Sequence, residues 1–229
     1  MSNIHYSNHD SPVLCRRYKE KPYQGQPPDI AKVLIVGQDA NYPKMTDEQF
    51  KLVEEYHNDG VTFWEEHGVH HPFLLSAFAG KVGGIRYHKQ FRKLGLDKQY
   101  AKYLSFVELL DIATYGNTGK AKLKDFTDKI SHAHIKQLEK WMIGSGDKLI
   151  FVPTMVMSTY LRRVYSKTHL FGWLIKCDKP MELDEPVLLW DKDGVSIYKY
   201  NHFSGAVSDA HINSMSAIIK SYLPSIGET

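Results

Sequence analysis

Three short segments hold the residue types that do chemistry. The first is Gly37-Gln38-Asp39-Ala40-Asn41-Tyr42-Pro43, in which Gly37 permits a sharp turn with close backbone approach and Asp39 projects a carboxylate. Its glycine spacing is not that of a dinucleotide fingerprint. The second is Glu108-Leu109-Leu110-Asp111, with two further carboxylates. The third is Asn201-His202-Phe203-Ser204-Gly205-Ala206-Val207-Ser208, whose small residues, hydroxyls and free backbone N–H groups suit an anion such as a phosphate.

These segments fall at the ends of apolar runs. Residues 31–37, 105–110, 148–152 and 195–200 read as strands buried on both faces, and residues 187–190 form a hairpin with the last of them through Asp191-Lys192-Asp193-Gly194. Helical patterns lie between. Thr46-Asp47-Glu48-Gln49 is a capping box opening a helix through about Glu55, Ser131 starts a second that ends at Gly144, residues 154–164 read as a third, and residues 208–222 close the chain. Strands alternating with helices predict an α/β fold, a three-layer α/β/α sandwich around a mainly parallel four-stranded sheet. Residues 31–229 are expected to form one domain, preceded by an N-terminal arm over residues 1–30. In such sheets ligands bind at the carboxyl ends of the strands, which is where the three segments stand, with Thr154 at the fourth end.

The composition excludes several classes. The chain has 229 residues, 42% of them hydrophobic, with 29 Lys+Arg against 26 Asp+Glu, so disorder, collagen and coiled-coil readings fall away. No run approaches the roughly 18 apolar residues that span a bilayer, and residues 1–10 are polar, so a cytoplasmic protein is expected, nucleoid-associated in a bacterium. Cys15 and Cys177 are too few for a disulfide framework, a four-thiolate zinc site or an iron–sulfur cluster. His70-His71 and His132-Ala133-His134 lack zinc-ligand spacing, so neither metal nor cofactor is expected. Charge is uneven. Residues 81–140 hold 13 Lys+Arg against 6 Asp+Glu, including Lys81, Arg86, Lys89, Arg92, Lys93, Lys98 and Lys102, then Lys120, Lys122 and Lys124 after a Gly116-Asn117-Thr118-Gly119 turn. Such a stretch suits either phosphates or a plain solvated face.

The order of motifs resembles the uracil-DNA glycosylase superfamily. Gly37-Gln38-Asp39 matches its first motif, His202-Phe203-Ser204-Gly205 resembles its last, and Tyr56 with Phe63-Trp64 and Leu109-Leu110-Asp111 are similar to segments of its mismatch-specific and hypoxanthine branches. The resemblance covers roughly residues 31–222. It implies a monofunctional DNA glycosylase that extrudes a base from single- or double-stranded DNA, hydrolyses its N-glycosidic bond and acts as a monomer without cofactor. Asp39 would stabilise an oxocarbenium-like sugar and orient water, and His202 would stabilise the departing base. Gln38, Asn41, Tyr56, Asp111 and, as a fallback platform, Phe63 would hold the base, while Thr154, Ser204, Gly205, Val207 and Ser208 would meet the DNA backbone or stack.

Departures from the family pattern point to the substrate. In the uracil-specific branch a Tyr two positions after the motif Asp blocks C5 of the pyrimidine, whereas here Asn41 holds that place and Tyr42 follows. A smaller side chain leaves room for a 5-substituted pyrimidine, hypermodified bases of bacteriophage DNA included, besides uracil. That tilts the expected role towards defence rather than repair. Phe203 replaces Pro, and Ala206-Val207 replaces the single Leu that family members insert into DNA. A non-catalytic DNA-binding or damage-sensing module, and a small-molecule nucleoside or nucleotide hydrolase, are the alternatives.

Overall fold

In the computed structural model, which describes residues 7–80, 84–115, 123–144 and 146–223, two sheets organise the chain. The strands are β1 (Ser7–Asn8), β2 (Tyr23–Gly25), β3 (Val33–Gly37), β4 (Ala40–Tyr42), β5 (Leu104–Glu108), β6 (Ala113–Tyr115), β7 (Lys148–Pro153), β8 (Val187–Lys192) and β9 (Val195–Tyr200). The helices are α1 (Pro12–Glu20), α2 (Asp47–Asn58), α3 (Gly60–His67), α4 (Ile85–Arg92), α5 (Leu123–Lys129), α6 (His132–Ile143), α7 (Leu161–Thr168), α8 (Gly172–Ile175) and α9 (Asp209–Tyr222).

The four apolar runs are β3, β5, β7 and β9, parallel neighbours in the order β5-β3-β7-β9. The expected four-stranded sheet is in fact six-stranded, because antiparallel β2 extends one edge and antiparallel β8 the other. β8 follows from the hairpin, whose turn residues Asp193 and Gly194 both have positive φ, 54° and 79°. β2 is three residues flanked by prolines, too short to show a period. Alternation along the strands divides the core. Leu34 and Val36 pack with Ile135, Leu138 and Met142 of α6 and Val164 of α7. Val33 and Ile35 face the other way, against Trp64 of α3, Phe91 of α4 and Ile212, Met215 and Ile219 of α9. Helices therefore cover both faces, and each fully buried aliphatic contributes on the order of 1.5–3 kcal/mol.

A second, three-stranded sheet, β1-β6-β4, stands beyond the carboxyl end of β3. It takes in the described part of the segment read as an N-terminal arm: β1 pairs with β6, α1 buries Leu14 and Tyr18 against Ala40, Tyr42 and Val53, and β2 joins the main sheet. The arm is thus built into the fold from residue 7 onward. The capping box forms as read, Thr46 and Gln49 each bonding the other's backbone N–H, although α2 runs on to Asn58 before Asp59 caps α3. The third expected helix starts at Thr154 as read but passes through a π-helical stretch, Val156–Tyr160, before α7. Lys81, Lys120, Lys122 and the Gly116-Asn117-Thr118-Gly119 turn lie outside the described residues. Among those described, no helix is long and apolar enough to cross a membrane.

Candidate active site at the strand ends

Asp39 leaves β3 two residues past its last position and is held by the second sheet. Pairing of β4 with β6 sets Asn41 opposite Thr114. The fully buried Thr114 hydroxyl donates to Asp39 Oδ2 and accepts from Asn41 Nδ2 at 3.2 Å. Asn41 therefore acts on Asp39 through one hydroxyl, and the carboxylate is fixed by groups that cannot turn away without breaking the strand pair.

Directly across the parallel register from Gly37 is Glu108. Its carboxyl lies against the Gly37 backbone, so closely that a β-carbon on residue 37 would overlap both oxygens. Glycine is required here for space, not for its dihedral freedom. Burial, reinforced by the charge of Asp39, pushes the Glu108 carboxyl well above the usual carboxylate range. Around it stand tyrosines. The charge of Glu108 reaches Tyr42, Tyr56, Tyr87 and Tyr200, and with burial it raises all four phenols.

Aromatic rings and histidines close the region. Tyr56 meets the edge of His71 at 4.8 Å and that of Phe63 at 5.4 Å, and His71 stacks on His88 at 3.6 Å and 12°. Tyr42 is tied back by a 2.7 Å bond between its hydroxyl and that of Tyr18. His88 is held neutral by burial, its pKa lowered to about 3. His202, at the end of β9, is likewise lowered to about 4 by burial, and its ring lies 5.1 Å from that of Tyr87. The Ser204 N–H donates to His202 Nδ1 at 3.3 Å. A neutral imidazole that accepts at Nδ1 carries its proton on Nε2, so His202 presents a donor.

The other residues singled out in the sequence take varied places. Gln38 has a buried Nε2 with no hydrogen-bond partner among the described residues. Phe63 and Tyr56 are both buried, packed against each other and against His67 and His71 respectively, so neither offers the open stacking face expected of it. Asp111 sits in the turn after β5, where its charge acts on His134, whose Nε2 donates to the Glu108 carbonyl at 2.8 Å. Thr154 spends its hydroxyl on the Tyr200 carbonyl at 3.0 Å, linking β7 to β9. Ser204 and Gly205 are exposed, whereas Val207 packs partly onto the α9 side of the core and leaves Ala206 outermost. Ser208 caps α9 and donates to Asp184 at 2.9 Å, so an acidic neighbour stands where a phosphate was expected. Glu55, Glu66 and the half-buried His67 gather ligand atoms within 4.8 Å on the surface, but His67 Nε2 is already 2.6 Å from Glu55 and the group carries no metal assignment.

Sequence reading missed Thr114, Tyr87 and His88 as site residues and singled out Glu108 only as a carboxylate at the end of the second strand. Glu108 had a signal, a lone charge closing an apolar strand. The others reach the site only through pairings and packing distant in sequence. Comparison of the chain with protein-family models, with curated proteins and with solved structures gives no match.

Proposed function

We propose that the protein is a monofunctional DNA glycosylase that extrudes a 5-substituted pyrimidine and hydrolyses its N-glycosidic bond, leaving an abasic site. One observation carries this reading: a clamped carboxylate, Asp39, and a neutral imidazole with its proton on Nε2, His202, stand at the carboxyl ends of parallel strands of one sheet, with tyrosines around them. Cleavage of a glycosidic bond develops positive charge on the sugar and negative charge on the base. A fixed carboxylate suits the first and orients the attacking water; a fixed donor suits the second. The Gln38 amide Nε2, buried and without a hydrogen-bond partner among the described residues, suits a base carbonyl. The fold, an α/β sandwich of the uracil-DNA glycosylase type, and the family resemblance belong to the same proposal.

The DNA partner is favoured by α4. Its inward residues Tyr87, His88 and Phe91 line the site and the core beneath it, while Arg86, Lys89 and Arg92 are exposed on the same helix. One element thus offers cations to phosphates beside the place where a base would enter. On the opposite face of the sheet a groove of about 240 Å³ lined by Leu123, Ser158, Thr159, Arg162 and Arg163 offers two further cations, Arg162 being also paired with Asp178. A small-molecule hydrolase needs neither.

The test is a panel of oligonucleotides carrying uracil, thymine mismatches, hypoxanthine and 5-substituted pyrimidines, followed by hot alkali. Strand breaks with the native protein that vanish with Asp39→Asn are expected. Tight binding without breaks on any substrate identifies a non-catalytic DNA-binding module instead.

A further inference from the structure

Met155 stands between the two residues assigned to the chemistry. Continued along the parallel sheet, the pairs Ile35↔Phe151 and Pro153↔Tyr200 put Gly37, Pro153 and Tyr200 in one row. Asp39, Met155 and His202 each follow that row by two residues, so Met155 leaves the middle strand of the three at the edge where the site lies. It is 54% exposed. Its backbone is helical, and the Thr154 hydroxyl before it is bonded to the Tyr200 carbonyl, so the side chain projects from a fixed base. The rings of the site lie on the α4 side of the sheet, whereas Val156 and Met157 pack on the α6 side. Met155 is therefore on the rim of the ring-lined hollow and not inside it. The π-helical stretch that follows it, Val156–Tyr160, is a form frequent at functional sites.

Single exposed apolar side chains are ordinary on a protein surface, so the surroundings decide what one can do. Among the described residues, Ile30 and Ile143 are exposed at the opposite edge, ahead of β3 and β7. Leu183, at 82%, is near the carboxyl edge too, but Glu182, Asp184 and Glu185 beside it repel phosphates. Met155 instead heads the helical segment whose Ser158, Thr159, Arg162 and Arg163 line a groove suited to them. We propose that Met155 enters the base stack of duplex DNA and fills the place that the extruded base leaves. This rests on the glycosylase reading and names the residue that keeps the base from returning. Opening a base step costs stacking energy, which an inserted apolar side chain offsets, and an unbranched thioether adapts to an irregular gap. The final loop offers nothing comparable, since Ala206 is short and Val207 packs partly onto the core.

The experiment compares one target base, the best substrate of the panel, in a duplex and in a single strand. In the duplex, Met155→Ala is expected to slow excision at least ~10-fold, the scale of one buried apolar side chain, and Met155→Leu to restore most of the rate. In the single strand, which has no closed stack to fill, Met155→Ala is expected to stay within ~2-fold of the native rate. A second readout is independent of the chemistry. With Asp39→Asn, the fluorescence of a 2-aminopurine beside the target base of each panel duplex is expected to rise on binding, and adding Met155→Ala to remove the rise. Thermal unfolding shows that the variants are folded. Equal losses on duplex and single strand, excision confined to single strands, or a fluorescence rise that survives Met155→Ala overturns the assignment even where the glycosylase reading holds. So does a duplex-specific loss that follows Val207→Ala and not Met155→Ala. A Met155-dependent rise without excision of any base leaves the assignment standing and overturns the glycosylase reading. Absence of both rise and excision overturns both.

Discussion

The Thr114 hydroxyl bridges Asn41 and Asp39, accepting from the amide of the first and donating to Oδ2 of the second. Thr114→Val keeps the shape and the strand but removes the bridge. A hydrogen bond to a charged group is worth about 1.5–3 kcal/mol, so excision is expected to fall roughly 10- to 150-fold. Thr114→Ser, which restores the hydroxyl, is expected to recover most of the loss. Single-turnover rates on the best substrate of the panel make the comparison, and an unchanged rate in Thr114→Val would show that Asp39 needs no such support.

The close approach of Gly37 and Glu108 makes their substitutions interdependent. Gly37→Ala alone forces its new methyl into the Glu108 carboxyl and is expected to cost about 1–3 kcal/mol, the usual range for overpacking. Removing the carboxyl in the same chain with Glu108→Ala is expected to restore most of that stability. Denaturant unfolding of the two single variants and the double completes a cycle whose coupling term reports the contact; additive losses would place the side chains apart.

The placement of Asp39 and His202 was legible in the sequence because both follow strands whose apolar runs are unambiguous, and a parallel sheet brings the ends of β3 and β9 to one edge. All four parallel strands were legible for the same reason. Glu108 was legible only as a carboxylate at a strand end, since nothing in one strand reveals that a glycine faces it in the next. Thr114 belongs to a three-residue strand with no period to read, and Tyr87 and His88 arrive on α4 through packing of Phe91 into the core. Phe63 was misplaced as a platform because a helix pattern says which side chains share a face but not which of them lies beneath another.

The histidine cluster sets the acid limit of stability. His202 drops from its ordinary 6.5 to about 4 and His88 to about 3, with His70 and His71 also lowered, all chiefly by burial. Between about pH 6.5 and those values the unfolded chain binds protons that the folded chain does not, so stability falls as pH falls through that window. The melting temperature is expected to decline steadily from pH 7 to pH 4. His88→Gln should flatten the decline by the equivalent of one proton, and an unaltered slope would show that this ring protonates freely in the folded state.

Glu108 works with the opposite sign. Its carboxyl is raised above the ordinary 4.5, so the folded chain holds a proton that the unfolded chain has released, and stability is lost as pH rises beyond that value. Glu108→Gln, which cannot ionise, is expected to stabilise the protein more at pH 8 than at pH 5. Melting temperatures of both proteins at the two values decide it; a benefit of equal size at each would mean that the carboxyl is not desolvated.

Arg86 and Lys89 stand one turn apart on the exposed side of α4, the helix whose other side brings Tyr87 and His88 to the site. If phosphates lie along that side, replacing both with alanine weakens binding to DNA of any sequence and leaves the rate at saturating DNA unchanged, because neither residue touches the base. Each lost duplex phosphate contact should lower the slope of log affinity against log salt by about 0.9, giving a reduction approaching 1.8 for the pair. Titrations at several salt concentrations measure that slope directly. A double variant with the native slope would take the DNA off α4 and leave the groove of Arg162 and Arg163 as the face to examine.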